Sequence, residues 1–457
     1  MTVFEFISKV SDFVCGYPLF ALLIGGGMFL FFYSGALPLR WFGKAVGALR
    51  QKNSTTALQN STQTQLNSGK GQISSFQALM TAISSTVGMG NIAGVAIAIS
   101  MGGPGAIFWM WVSALFGMAT KFFEGTLAIM YRGQDDNGNV QGGPMYIITK
   151  GLGSKFKPMA VFFASFAMIG SFCVMQANQL TESITTVVTE PLGLDTSFWI
   201  KAAIGLVMTI LVTLVVKGGI TKISALASRI VPFMVTLYLI LVLVITVVHI
   251  DRLPEVFGLI FREAFNFKAG FGALAGIAII GARRAMYVNE AGVGTASMVH
   301  GSSKNDDPVR EGLVAMLGPA IDSGLVCTLT AIPILMAGCY DVEGVKGLNI
   351  ALNSFSELLP GWGQYALLTT VLFFAFSTMF SYSIYGVKCA SYLFGAKRGK
   401  YYVYAYLAVI FISCIASLKL VVTVMDFAFA MMALPNMLTV LYLSPRVRAE
   451  IRKQGRK

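Results

Sequence analysis

The chain has 457 residues, 55% of them hydrophobic and only 12% charged, with a mean hydropathy of +0.70. Soluble domains carry roughly a quarter charged residues, so this composition excludes an ordinary soluble enzyme and a disordered chain and points to a polytopic membrane protein. The net charge of +13 fits either a nucleic-acid surface or basic loops on one side of a membrane, and the placement of Lys and Arg decides between them.

A spanning helix needs about 20 mainly apolar residues. That ruler finds eleven candidates, at 17–37, 75–101, 104–131, 158–190, 198–217, 221–249, 270–299, 309–338, 362–395, 402–418 and 421–443. Glu5 and Asp12 precede the first apolar run without a basic leader, which argues against a removed signal peptide. The stretch 38–74, rich in Ser, Thr, Asn and Gln, reads as a polar connector. The six cysteines form no CxxC pair and read as small core residues, not as a zinc site or disulfide framework.

With the N-terminus outside, the inward loops hold Arg40, Lys44, Arg50, Lys52 and Lys70, then Arg132, Lys150, Lys155 and Lys157, then Lys217, Lys222, Lys304 and Arg310. Lys397, Arg398, Lys400 and the tail Arg446, Arg448, Arg452, Lys453, Arg456 and Lys457 follow on the same side. The outward segments hold only Lys9, Lys201, Arg252, Arg262, Lys268, Lys346 and Lys419. The positive-inside rule therefore orients the chain with N outside and C in the cytoplasm, and the basic charge no longer calls for nucleic acid.

Eleven spans divide as one plus five plus five. Asn91-Ile92-Ala93-Gly94-Val95 in the second span is echoed by Asn289-Glu290-Ala291-Gly292-Val293 in the seventh, and at the same offset Met118 meets Met316 and Glu124 meets Asp322. The second span runs outward and the seventh inward, as expected of two inverted five-helix repeats. The resulting divisions are 1–74 (extra helix and polar loop), 75–249, 250–443 and a basic tail, 444–457.

The sharpest chemical signal is Ser84-Ser85-Thr86-Val87-Gly88-Met89-Gly90-Asn91 in the middle of the second span. Glycines flanked by Ser, Thr and Asn hold a helix poorly, and unwound backbone at membrane depth offers N–H groups to a carboxylate and carbonyls to a hard cation. Gly90 and Gly94 also form a GxxxG, whose ordinary use is close helix packing. Gln176, Asn178 and Gln179 in the fourth span can bind a polar solute or glue helices together. Ser377, Thr378 and Ser381 in the ninth suit a dehydrated sodium ion, or bond back to their own helix. Lys121, Glu124, Arg283, Arg284, Glu290 and Asp322 are charges within spans, hence candidates for an ion-pair network, with Arg283 and Arg284 expected at the inner end of their span.

Five stretches carry a family resemblance: Gly102 to Gly117 (GGPGAIFWMWVSALFG), Thr86 to Val95 (TVGMGNIAGV), Gly142 to Tyr146 (GGPMY), Asn289 to Ala296 (NEAGVGTA) and Asp307 to Ala331. Together they resemble the alanine or glycine:cation symporter family. The resemblance implies an all-α polytopic membrane protein with 11 transmembrane helices, a leucine-transporter-type 5+5 inverted repeat plus one extra N-terminal helix. It implies symport of a small neutral amino acid, alanine or glycine, with sodium or a proton, in a bacterial inner membrane and without a cofactor. Carried over by motif, the substrate meets Thr86, Gly88, Gly90 and Gln176, and the sodium ion meets Ser84, Val87, Ser377 and Thr378, with Asn91 as a further ion contact. Met89, Tyr382 and Val387 depart from the family pattern, and Tyr382 bears on the choice among alanine, glycine and a larger substrate such as glutamine. The rival classes lack support: no repeated filter suggests a channel, and no GxSxG, HExxH or GxxxxGK[ST] string suggests an enzyme or ATP-driven pump.

Overall fold

The computed structural model describes residues 17–50, 71–193, 198–265, 271–340 and 347–454. It is all-helical apart from a two-stranded hairpin, Gly133–Gln134 paired antiparallel with Val140–Gln141. The apolar runs of the sequence become α1 (Pro18–Tyr33), α2a (Ser75–Thr86) and α2b (Gly90–Gly102), α3 (Ala106–Met130), α4 (Ser154–Thr189), α5 (Phe198–Val216) and α6 (Gly219–Val248). They continue as α7a (Phe271–Asn289), α7b (Thr295–His300), α8 (Pro308–Ala337), α9 (Gly363–Phe394), α10 (Tyr402–Ile415) and α11 (Leu418–Gln454). Among the described residues seven helices are long and apolar enough to cross a membrane, and α2a with α2b, bent by 56° at their junction, makes an eighth.

Several boundaries differ from the sequence reading, for identifiable reasons. Within 38–74, Leu37–Arg40 and Phe42–Arg50 are helical, while 51–70 lie outside the described residues. The acidic N-terminal residues Glu5 and Asp12 also lie outside them. Residues 444–454, read as part of a basic tail, continue α11, which runs through Pro435 and Pro445 to Gln454; 455–457 lie outside the described residues. Two helices, Leu253–Ala264 and Leu348–Leu358, occupy stretches read as loops. Both are too short to span a membrane and amphipathic enough to cap the bundle.

Packing sorts the helices into two groups. α3 lies against α7a and the first half of α8, and α2 joins them; α4 packs on α9, α10 and α11, and α5 on α10. α6 bridges the groups, touching α2a on one side and α9 on the other. In lipid, such contacts depend on close fit, since tails are as apolar as Leu. Burial follows: 78% of the apolar window of α9 is buried but only 22% of that of α5. Leu206, Leu214, Phe233 and Val247 form part of the outward-facing apolar surface. Ser75 caps nothing here; Ser74 does, through a capping box with Gln77 that starts α2a. Beside it, Gln72 N–H donates to Ser302 C=O at 2.8 Å and Lys304 N–H to Ile73 C=O at 2.7 Å, so α2a begins where α7b ends. Arg132 and the hairpin lie at this same end, called the basic end below.

Candidate functional site

The break in α2 is built by its own sequence. After Thr86 the chain leaves helical geometry at Val87 (φ −73°, ψ 95°) and re-enters it at Gly90. The freed groups find partners: Gly88 N–H donates to Asn91 Oδ1 at 3.0 Å, and Val87 C=O accepts from Thr378 Oγ1 at 3.3 Å. Glycine is required at 88, because a Cβ there would stand 2.7 Å from Thr378 Oγ1. Gly90 and Gly94 are different, each meeting Val288 at ordinary contact distance while lining a cavity. Their GxxxG spacing is thus not used for close backbone packing.

Four of the five residues assigned to the ion come together. Ser84 Oγ donates to Ser377 C=O at 2.8 Å and Ser381 Oγ to Ser84 Oγ at 2.8 Å, beside the Thr378–Val87 contact. Ser377 and Thr378 also bond back to Phe374 C=O, at 3.0 and 2.9 Å, so the back-bonding reading of these hydroxyls is observed while Thr378 Oγ1 still reaches Val87 C=O. Ser84, Ser377, Thr378 and Ser381 are buried, and neutral oxygens from α2a and α9 converge without any carboxylate. Asn91 stands apart from this group. Its Oδ1 closes the break, and its Nδ2 donates to Asp322 Oδ1 and, at 3.6 Å, to Cys327 Sγ. In this structure its amide braces the break.

Three of the four residues that the resemblance assigns to the substrate, Thr86, Gly90 and Gln176, line one cavity of about 120 Å³, together with Arg284, Glu290, Tyr382 and others. This is well below the pockets that take drug-sized ligands. Gln176 is buried with no hydrogen-bond partner for Oε1, whereas Asn178 ties α4 to α10 by donating to Ser413 C=O (3.0 Å) and Ala416 C=O (2.8 Å). Of the two roles the sequence left open, helix tying is thus observed at Asn178. Gly88 does not line the cavity and stands against Thr378.

Glu290, read from the sequence only as a candidate for an ion-pair network, stands at the cavity wall. Glu290 takes φ 51°, rare for a non-glycine, within a break whose Gly292 and Gly294 have φ 90° and 96°. Its carboxylate accepts from Tyr382 OH and Thr295 Oγ1. Arg284 also lines the cavity, with Asp426 of α11, whose charge acts on it. It lies before the break, on the side away from His300 and the basic end, which corrects its expected place at the inner end. A helix that stops at residue 289 does not carry depth along the sequence as an unbroken span does.

The two breaks are braced crosswise. Asn91 of α2 donates to Asp322, and Asn289 of α7 donates to Ser323 Oγ at 3.1 Å, neighbours in one π-helical turn of α8. Glu124 of α3 in turn accepts from Gly292 N–H at 3.1 Å and from Asn436 Nδ2 at 2.7 Å, and Asn436 also donates to Gly292 C=O at 2.7 Å. So Glu124 serves the break in α7, while Asp322, its counterpart in the sequence echo, serves the break in α2.

A larger cavity, about 600 Å³, opens at the basic end between the hairpin, α6, α9 and α10. Lys388 projects there and donates to Gln141 Oε1 (2.7 Å) and Ser302 Oγ (2.6 Å). In the hairpin, burial raises the Asp135 pKa, but hydrogen bonds from Asn139, Gln141 and Asn137 outweigh it and hold the carboxyl below its usual range.

A family profile described as the sodium:alanine symporter family matches residues 1–457. The chain belongs to the sodium:alanine symporter family. The sodium/alanine symporter AgcS of Methanococcus maripaludis is 40% identical over 461 residues, covering 98% of this chain and 97% of the relative. The "Probable sodium/glutamine symporter GlnT" of Bacillus subtilis is 30% identical over 443 residues, 96% of this chain and 88% of the relative. Among solved structures, MhsT in complex with L-phenylalanine superimposes with a TM-score of 0.59 at 15% identity, over 82% of this chain and 89% of that one. That likeness shows the fold, which is of the leucine-transporter type. Members of the sodium:alanine symporter family are multi-pass membrane transporters, and the apolar helices here agree.

Proposed function

We propose that the protein carries out secondary active symport of a small neutral amino acid, alanine or glycine, with sodium across the cytoplasmic membrane by alternating access. The observation that carries this reading is the interrupted α2, which presents carbonyl and hydroxyl oxygens to α9 on one side and a small, partly polar cavity of about 120 Å³ on the other. In this proposal sodium is held by Ser84, Val87, Ser377 and Thr378, with Ser381 completing the oxygen set. The substrate carboxylate meets N–H groups freed near Thr86 and Gly90, and its ammonium meets Gln176 Oε1 and Glu290. Tyr382, by fixing Glu290, limits side-chain size and disfavours a glutamine-sized substrate.

The architecture belonging to this reading is eleven spans, α1 followed by two inverted five-helix repeats, α2–α6 and α7–α11. The crosswise bracing of the breaks by Glu124 and Asp322 supports that symmetry. The N-terminus is outside and the basic end faces the cytoplasm. A potential of about 100 mV and a tenfold sodium gradient supply roughly 3.7 kcal/mol per ion, enough for accumulation on the order of 500-fold. Labelled alanine uptake into proteoliposomes under imposed sodium or proton gradients, with unlabelled amino acids as competitors, tests the proposal. Sodium-driven uptake blocked by glycine and not by glutamine is expected; uptake driven by neither gradient overturns it.

A further inference from the structure

The 600 Å³ cavity at the basic end has a lining of two kinds. Polar groups come from the hairpin and the end of α9, as Asn137, Gln141 and Ser391; apolar ones come from α5, α6 and α10, as Val216, Ile220 and Val403. Tyr404 of α10 also lines the cavity yet is 64% exposed, and Leu214, two residues before Val216, is exposed to the same degree. The cavity therefore opens onto the outer faces of α5 and α10. These two helices pack on each other, and α5 keeps most of its apolar surface outside the bundle. In a membrane transporter such a surface meets lipid tails.

The charge at the mouth has one sign. Residues 196–250 and 358–425 contain no Asp or Glu, so α5, α6, α9 and α10 bring only cations to this cavity. Lys217, in the turn between α5 and α6, and Lys400, just before α10, line it with exposed side chains. Among the described residues neither forms an ion pair, and Lys400 Nζ stands 5.6 Å from the Tyr401 ring centroid. Lys388 of α9 is deeper, 7% exposed, and its ammonium is already bonded to Gln141 and Ser302. Asp135 is the acid among the described lining residues, and its oxygens are taken up by Asn137, Asn139 and Gln141. Apolar lining that opens sideways, with two cations at the rim, fits an amphiphile with an anionic head. A soluble anion would use the lysines and leave the apolar residues wet, and a neutral lipid would do the reverse.

We infer that this cavity is a binding site for an anionic phospholipid of the leaflet at the basic end. The phosphodiester lies between Lys217 and Lys400, the polar head meets Asn137, and an acyl chain runs over Val216, Ile220 and Tyr404 onto the outside of α5 and α10. Lys388 keeps its bonds to the hairpin and to the end of α7, so the head stands at the mouth and not on the α9 face. The site needs the chain to lie in a membrane and does not depend on which solute it carries.

The test titrates the full chain, stripped of lipid in detergent, with dioleoylphosphatidylglycerol, dioleoylphosphatidylcholine or glycerol 3-phosphate, and counts bound molecules by native mass spectrometry. Saturable binding of phosphatidylglycerol is expected, at least about tenfold tighter than that of phosphatidylcholine. Lys217→Gln with Lys400→Gln should weaken it roughly fivefold for each lysine removed, while the double change to Arg keeps it. Because the Gln variant can misfold, the wild-type protein is also photolabelled with a phosphatidylglycerol carrying a diazirine in one acyl chain. Adducts that excess unlabelled phosphatidylglycerol suppresses are expected on 216–223 or 401–404. Equal affinity for phosphatidylcholine, unchanged affinity in the Gln variant, or suppressible adducts only elsewhere overturns the site. Glycerol 3-phosphate binding as tightly as the lipid would make a soluble phosphate the ligand and overturn the lipid. Alanine uptake is not the readout, so failure here leaves the symport reading standing, and failure of symport leaves this site standing.

Discussion

At the scale of single residues, side chains that look alike in sequence separate by where their polar atoms end. Gln176 and Asn178 are two positions apart, yet Asn178 spends its amide on two carbonyls of the α10 end while Gln176 Oε1 is buried without a partner beside the cavity. A group left unsatisfied in the free protein costs folding and gains on binding, so its removal should affect ligand more than fold. Gln176→Ala is expected to weaken alanine binding by roughly tenfold, from a lost hydrogen bond to a charged group, with thermal stability nearly unchanged. Equilibrium binding of labelled alanine beside a melting curve checks this, and retained affinity would return Gln176 to helix packing. The double change Ser377→Ala with Thr378→Ala removes two hydroxyls from the α2a–α9 junction. It should raise the sodium concentration for half-maximal uptake; an unaltered sodium dependence would remove both from the ion site.

At the scale of elements, the break in α2 was legible in the sequence because glycine, serine and asparagine at membrane depth conflict with a continuous helix, a conflict local to Ser84–Asn91, whereas the break in α7 at Asn289–Gly294 was not read from its residues. Their bracing was not legible. Asn91 meets Asp322 and Glu124 meets Gly292 across large sequence separations, and a repeat offset alone does not say which carboxylate serves which break. Arg284 was misplaced for the same reason, since depth along α7 was counted as though the helix were whole. Two expectations follow from the bracing. Glu124→Ala leaves Gly292 N–H and one Asn436 bond unmet in a dry setting, and should destabilise by about 2–4 kcal/mol; a melting temperature within a degree or two of wild type would show that Glu124 holds nothing. Gly88→Ala drives a methyl toward Thr378 Oγ1, so it should raise the sodium requirement while leaving the fold intact, read from sodium-dependent uptake and from monodisperse behaviour in detergent.

At the scale of the whole molecule, alternating access needs a path from the ion to one face that opens and closes, and α9 carries the markings of one. Ser377, Ser381, Ile384, Lys388 and Ser391 recur at helical spacing, hence along one face. The first two belong to the oxygen cluster, and the last three line the 600 Å³ cavity at the basic end. Lys388 stands across this face, tying the hairpin through Gln141 and the end of α7 through Ser302, while Asp135 holds the hairpin together by accepting from the backbone of Asn137 and Asn139 and from Gln141. Because that carboxylate is held below its usual range, the hairpin's contribution is present above the ordinary Asp pKa and is lost as pH falls through the lower folded value. A thiol placed at Ser383, on the cavity wall one turn from the tie, therefore reports on the path. In oriented vesicles Ser383→Cys should react with a membrane-impermeant thiol reagent from the cytoplasmic side only, and adding Lys388→Met should speed that reaction by releasing the hairpin. Saturating sodium without substrate should slow it if ion binding favours the state closed at this end. Reaction from the opposite face would overturn the orientation, and a rate indifferent to Lys388 would show that the tie closes nothing.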